Sequence, residues 1–222
     1  MTEIPIERVR ACWARAAGFP GDKERVYPEH AVAHGFDKHA GADVLEYGCG
    51  GGSDTLSWLR RGCQVWALDV TPSNVDTTLV RARKMGLSYS LSALALDQSA
   101  PIPLASDGFD VVSCHGVLHH IPDPMPVLRE FFRLLKPGGH LYVMLYTETL
   151  WKRLLPLTEA GIARGLTREE AFGWGTDEEG CPYAVHYTEA EGVALLASVG
   201  FTVLGSLDYN NAEFRTFHAV KP

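Results

Sequence analysis

No pair of cysteines in this sequence follows the C-x-x-C spacing, which removes zinc-ribbon and thioredoxin-type redox chemistry from consideration. The five that exist (Cys12, Cys49, Cys63, Cys114, Cys181) are odd in number and scattered, as expected of free thiols in a reducing cytoplasm. No apolar run approaches the ~18 to 20 residues needed to cross a bilayer. The opening "MTEIPIERVR" has neither a basic head nor an apolar centre, so it does not read as a signal peptide. Internal repeats and low-complexity tracts are missing as well. Cationic clusters are also lacking: 20 Lys and Arg face 27 Asp and Glu, for a net charge of −7. A polyanion is held by clustered cations, so nucleic acid is a poor candidate substrate. What remains is the composition of a globular protein, 46% hydrophobic and 21% charged over 222 residues. That length suits one well-buried domain with a small appendage.

Apolar periodicity alternates between short β-rich runs and longer helical segments. "DVLEY" (43–47), "QVWALDV" (64–70), "YSLSALALD" (89–97), "FDVVSCH" (109–115) and "HLYVMLYT" (140–147) read as strands. The segments between them read as helices. One begins at a Ser53 cap and closes at Gly62, one has Thr71 at its cap and Pro72 in its first turn, and one runs from Asp123 to Pro-Gly-Gly at 137–139. Thr188 with Glu191 forms a capping box for a further helix. "FTVLGSL" and "FRTFHAV" close the chain as strands near enough to pair antiparallel. The expected fold is therefore α/β: a Rossmann-like seven-stranded, mostly parallel sheet with one antiparallel strand and helices on both faces. Four parts are expected: an N-terminal cap (1–40), a core (41–147), an insertion or lid (148–187) and the end of the core sheet (188–222). The insertion carries a second capping box, Thr167 with Glu170, and its length is typical of a binding element.

The first strand runs into "VLEYGCGGGSDTL", where four glycines occupy five positions ahead of a helix. Such a turn lets backbone approach a ligand closely and aims helix N–H groups at it. Gly48, Gly50 and Gly52 spell G-x-G-x-G, with Ser53 where the third glycine of a dinucleotide fingerprint belongs. A P-loop is excluded, since no G-x-x-x-x-G-K-[ST] exists. Asp69 ends the second strand 21 residues after Gly48, a position from which a carboxylate accepts ribose hydroxyls. Asp97 and Gln98 end the third strand, and Cys114-His115 the fourth, all over one sheet edge.

These motifs resemble the class I S-adenosylmethionine-dependent methyltransferases, in the group acting on small molecules. "VLEYGCGGG", "VWALDV", "ALDQSAPIPLASDGFDVVSCHGVLHHIPDP", "LKPGGHLYVMLY" and "HYTEAEGVALLASVGF" follow the family's order from about residue 42 to 220, with 148–187 only loosely covered. The resemblance implies S-adenosyl-L-methionine as cofactor and S-adenosyl-L-homocysteine as product. It implies that Glu46 orients the turn and that Gly48, Gly50 and Gly52 pass close to methionine and ribose. Asp69 would hold the ribose hydroxyls, Val70 lie against adenine, Asp97 accept from the adenine amino group with Gln98 offering its N–H, and the His115 carbonyl meet the methionine amine. No metal is implied.

Methyl transfer from a sulfonium is an in-line displacement, so the protein supplies positioning and, for a hydroxyl or ammonium nucleophile, a base. The candidates are His119 and His120 in "GVLHHIPDP", followed by Tyr146 at the end of the fifth strand. His115, His186 and Tyr187 are weaker. Asp177-Glu178-Glu179 reads as a solvated loop, and Trp13, Tyr27, Trp151 and Trp174 as lid aromatics. Ser113-Cys114-His115-Gly116 replaces the [DN]-P-P-[YF] box of amino-methylating DNA enzymes, and no cysteine follows a proline as in C5-cytosine enzymes. The expectation is methylation of a small molecule at O, N or C in the cytoplasm, with no membrane partner. A catalytically silent cofactor-binding subunit and a non-methylating enzyme using the same cofactor are the alternatives.

Overall fold

A computed structural model describes residues 4–16, 23–96, 101–177 and 180–222. Seven strands form one sheet in the order β3-β2-β1-β4-β5-β7-β6. These are β1 (Asp43–Tyr47), β2 (Gln64–Asp69), β3 (Leu91–Ala95), β4 (Phe109–His115), β5 (Leu135–Tyr146), β6 (Thr202–Tyr209) and β7 (Phe214–Val220). The first five pair in parallel; β7 lies antiparallel between β5 and β6. The order reverses at β1, whose neighbours are β2 and β4. Strand direction and order thus place a crevice outside the carboxyl ends of β1, β2 and β4, where the βα turns diverge.

Both sheet faces are covered, which is why the strands read as continuous apolar runs rather than alternating ones. One face packs Leu45, Leu68, Val112, Leu128, Phe131 and Val143. The other packs Val44, Val65, Val111, Trp58 and Phe36, with the Phe36 and Trp58 rings edge to face at 4.4 Å. Helices α4 (Ser53–Arg60), α5 (Pro72–Lys84), α6 (Met125–Leu134) and α9 (Glu189–Ala197) link the strands. Ahead of the sheet come α1 (Ile6–Ala16) and the short α2 (Lys23–Val26) and α3 (His30–Ala33); the segment after β5 folds into α7 (Glu148–Ala163) and α8 (Arg168–Thr176). Both capping boxes form, with Thr167 and Thr188 each accepting from the N–H three residues on.

Three local expectations are corrected. Gly52, in a left-handed conformation, occupies the cap of α4, and Ser53 is its first helical residue. The helix expected from Asp123 begins at Met125, whose N–H the Asp123 carboxylate accepts at 3.1 Å, and ends at Leu134. Pro-Gly-Gly therefore ends no helix. The residue before a proline favours extended backbone, and Leu135 already pairs with Phe109, so 136–139 form a bulge through which β5 regains register at His140. Among the described residues, no helix is long and apolar enough to cross a membrane. All five cysteines are free and buried.

Candidate active site

The glycine turn is folded back onto the end of β2. The N–H groups of Gly48 and Cys49 both donate to the Leu68 carbonyl, at 2.7 and 2.9 Å, and Gly50 N–H donates to Asp69 Oδ2 at 2.9 Å. Its conformation is thereby fixed by the strand that carries the acidic residue. Gly48 has φ +82°, and a Cβ there would stand 2.2 Å from Val117 Cγ2; only glycine fits between this turn and the loop after β4. Gly48, Cys49, Gly50, Gly51 and Ser53 line the crevice. Gly52 does not. Its missing Cβ makes room for Thr78 on α5, whose Oγ1 would lie 2.7 Å away, so its constraint is helix packing and its expected place beside the ligand is corrected. Glu46 is buried beneath the turn, where it accepts from the Thr55 hydroxyl. Burial, with the nearby Asp54 charge, pushes its carboxyl well up from the usual range.

Asp69 lines the crevice and is 6% exposed. It accepts from Thr71 N–H at 2.8 Å and Asn74 Nδ2 at 3.2 Å besides Gly50. Burial raises its carboxyl, and these hydrogen bonds act the other way. Two carboxylate oxygens offer about four acceptor sites, and three bonds leave capacity toward the crevice. Val70 and Leu96 form the apolar wall beside it. Their carbonyls are clamped by Arg10 of α1, from Nε to Val70 at 2.9 Å and from Nη2 to Leu96 at 3.1 Å. Asp97 and Gln98 lie outside the described residues.

His119 and His120 share one 3₁₀ turn, and their side chains diverge because residues in such a turn are a third of a revolution apart. His120 enters the crevice. Its Nδ1 lies 2.9 Å from the Tyr183 carbonyl, and Nε2 lies 3.4 Å from Asp177 Oδ2. His119 instead turns inward: it is wholly buried, stacked on the Tyr146 ring at 3.6 Å, and lines no part of the crevice. Burial holds its imidazole neutral. The expectation that His119 meets the substrate is therefore corrected, because the sheet core claims its ring. Tyr146 lines the crevice and donates to Asp177 at 3.3 Å; burial and that carboxylate push its phenol up. Asp177, expected in a solvated loop, thus forms crevice wall, held also by Thr176 Oγ1 at 2.6 Å. Trp13, Tyr27, Met144 and Phe214 complete this apolar half, with Trp13 4.7 Å from the His120 ring.

Between the two halves stands an ionic group. Lys23 Nζ and His30 Nε2 each lie 2.9 Å from a different oxygen of Asp54, which opens α4. Burial alone would raise the Asp54 carboxyl, but Lys23, His30 and His115 hold it well below the ordinary range. The His115 side chain faces His34 and Asp54 as well as the crevice. Sequence reasoning missed Lys23, Asp54, His34 and Arg10, and placed Asp177 in solvent. Only the His30-x-x-x-His34 spacing, one face of a helix, offered a readable signal.

A seven-stranded sheet with this strand order, a G-x-G-x-G turn closed by an acidic residue on β2 and a crevice at the switch point make up a Rossmann-like fold of the kind S-adenosylmethionine-dependent methyltransferases have. Residues 45–143 match the family described as methyltransferase domain. The chain is 36% identical over 110 residues to the ubiquinone biosynthesis O-methyltransferase of Xanthomonas axonopodis pv. citri, covering 50% of this chain and 45% of that one; it spans about half the length of the relatives it matches in sequence. Among solved structures, a SAM-dependent methyltransferase from Aquifex aeolicus superposes with a TM-score of 0.68 at 16% identity, covering 99% of this chain and 100% of that one. The Burkholderia thailandensis 1,6-didemethyltoxoflavin-N1-methyltransferase, solved with its substrate and S-adenosylhomocysteine, gives 0.68 at 21% identity, covering 100% and 92%. Those two likenesses concern the fold.

Proposed function

We propose that this protein transfers a methyl group from S-adenosylmethionine to a hydroxyl on a small aromatic molecule. The residues fit the cofactor: a turn that tolerates no Cβ at Gly48, a carboxylate with spare acceptor capacity at Asp69, and the apolar Val70–Leu96 wall for a base. Bound there, the sulfonium supplies an electrophilic methyl group. Asp69 would accept from the ribose hydroxyls, and the turn backbone would bound the methionine end. The cap formed by α1 and the 148–187 insertion would exclude water.

One observation carries the oxygen-nucleophile reading: the orientation of His120. A carbonyl only accepts, so the Tyr183 contact places the proton on Nδ1 and leaves Nε2 as the free acceptor, a buried nitrogen without a hydrogen-bond partner on a ring that lines the crevice. A proton taken from a hydroxyl at Nε2 then sits 3.4 Å from the Asp177 carboxylate, which stabilises the resulting imidazolium. Trp13, Tyr27, Tyr146 and Phe214 give the crevice an aromatic lining that suits a planar substrate. The name of the Xanthomonas relative, an O-methyltransferase of quinone biosynthesis, agrees with a phenolic acceptor. Five free thiols suit the cytoplasm as its compartment.

The test is incubation with labelled S-adenosylmethionine and a panel of phenols, anilines and thiols, read by product mass. Methylation of phenols above the other classes is expected. Release of S-adenosylhomocysteine only with amines would overturn the oxygen assignment, and failure to bind the cofactor by calorimetry would overturn the whole reading.

A further inference from the structure

Behind one end of the crevice, three histidines converge from two parts of the chain. His30 belongs to α3, His34 caps its end, and His115 ends β4. His30 and His34 are fully buried, and the His115 side chain is 9% exposed. One ring nitrogen of each lies within 4.8 Å of the others. His34 Nε2 stands 2.9 Å from His115 Nδ1, His115 Nδ1 is 3.7 Å from Asp54 Oδ2, and His30 Nε2 is 2.9 Å from Asp54 Oδ1. The ring centroids are 4.6 to 4.8 Å apart.

Three clustered imidazoles, two of them beside a carboxylate, need a reason, because each buried ring gives up hydration. Packing does not supply it, since phenylalanine would fill the volume without polar atoms. Hydrogen bonding accounts for part of the group, since Thr216 Oγ1 lies 3.2 Å from His34 Nε2 and Tyr209 Oη 3.5 Å from His115 Nδ1, but it leaves His30 Nδ1 buried with no partner. His34 Nδ1, on the far side of its ring, lies 3.4 Å from Ser113 Oγ, the kind of outer contact that orients a ligating ring.

We propose that His30, His34 and His115, with Asp54, bind a divalent transition metal of the zinc class. Imidazole and carboxylate suit zinc, and four protein ligands close a tetrahedral site. Lys23 opposes metal binding, since its ammonium pairs with Asp54 at 2.9 Å. It reaches Asp54 from the crevice side, so an incoming dication replaces it as the counter-charge of Asp54. Lys23 is then a competitor that sets the affinity. Because the group lies apart from His120 and Asp177, the metal's role there is to brace α3 and α4 against β4.

The test is titration of the full chain, stripped with a chelator, with cobalt(II) alone. We expect one equivalent to bind with the intense visible bands of four-coordinate cobalt, and zinc(II) to displace it. His34→Gln and His30→Gln should each weaken binding by at least about tenfold, the loss already typical of residues one step removed from a ligand. Lys23→Met should tighten binding, a gain that a folding defect does not mimic. His120→Gln should leave the titration unchanged. Absence of the bands, their survival in His34→Gln, their loss in His120→Gln, or an unchanged or weaker titration in Lys23→Met would each overturn the site. Calorimetry with S-adenosylhomocysteine on the same samples reads the cofactor assignment separately.

Discussion

The two halves of the crevice are built in different ways. On the cofactor side, the ligand-facing groups come from β1, β2 and the turn between β1 and α4, and backbone hydrogen bonds fix them: the Leu68 carbonyl holds two turn amides and Asp69 a third. On the acceptor side, the wall is assembled from α1, the 3₁₀ turn after β4, β5, α8 and β7, and ring packing fixes it. The first construction tolerates little change at any position. The second tolerates change in most residues and, under the proposed function, depends on His120.

His120 is where that comparison breaks most sharply. His120→Ala should lower the methyl-transfer rate by about 10²- to 10⁴-fold, the usual contribution of a positioned base, with S-adenosylhomocysteine affinity within twofold of the parent. Asp177→Asn should cost about tenfold, since the ring stays pinned by Tyr183 while its counter-charge is lost. Single-turnover kinetics beside calorimetry make the measurement, and an affinity loss equal to the rate loss would defeat the division into halves. Asp69→Ala is the complementary experiment. Two charge-assisted hydrogen bonds at roughly 1.5 to 2 kcal/mol each amount to about a hundredfold or more in cofactor affinity, lost at calorimetry with acceptor binding spared.

Gly48→Ala probes how rigid the cofactor half is. A left-handed backbone costs an alanine about 1 to 2 kcal/mol, and its Cβ would press on Val117 at 2.2 Å. We expect a loss of about 2 to 3 kcal/mol in denaturant unfolding together with weaker cofactor binding. Trimming Val117 to Ala in the same chain should return only the clash and not the backbone strain. His119→Phe is the mirror test on the acceptor side. It keeps the stack on Tyr146, and because His119 does not reach the crevice, turnover should change less than threefold while stability moves by about 1 kcal/mol at most. A rate loss matching that of His120→Ala would return His119 to the catalytic group.

The same contrast explains what could be read without coordinates. Strand runs, the glycine turn and Asp69 are consecutive signals with local physical causes, so the strands, their mostly parallel sheet and the place of the turn were legible. The base was legible only as a pair, because nothing in "HH" says which ring a 3₁₀ turn will send outward. Asp177 reads as one of three acids in a loop; its place on the wall is decided by Tyr146 and Thr176, which approach through tertiary packing. Lys23 and Asp54 are 31 residues apart, and no spacing rule joins them. The Pro-Gly-Gly bulge was misread for a related reason: its terminator chemistry is real, but pairing of Leu135 with Phe109 had already ended the helix.

The smallest effect concerns the far edge of the cofactor half. Glu130 on α6 accepts the Ile102 N–H at 2.9 Å and pairs with Arg133, which in turn binds the Ile102 and Leu104 carbonyls. This pair fastens the chain just after the segment that carries Asp97 and Gln98. Hydrogen bonding from Arg133 lowers the Glu130 carboxyl below its usual range. A depressed carboxylate contributes stability that is complete above its unfolded pKa, about 4.3, and that disappears as pH falls through the folded value. Solvent screening of a surface pair limits the amount to about 0.5 kcal/mol. Glu130→Gln should therefore unfold slightly earlier than the parent at pH 7, and the two urea curves should converge as the solution is acidified below about pH 4. Curves that already coincided at pH 7 would mean that the Ile102 hydrogen bond, which glutamine can still accept, rather than the charge, fastens this edge.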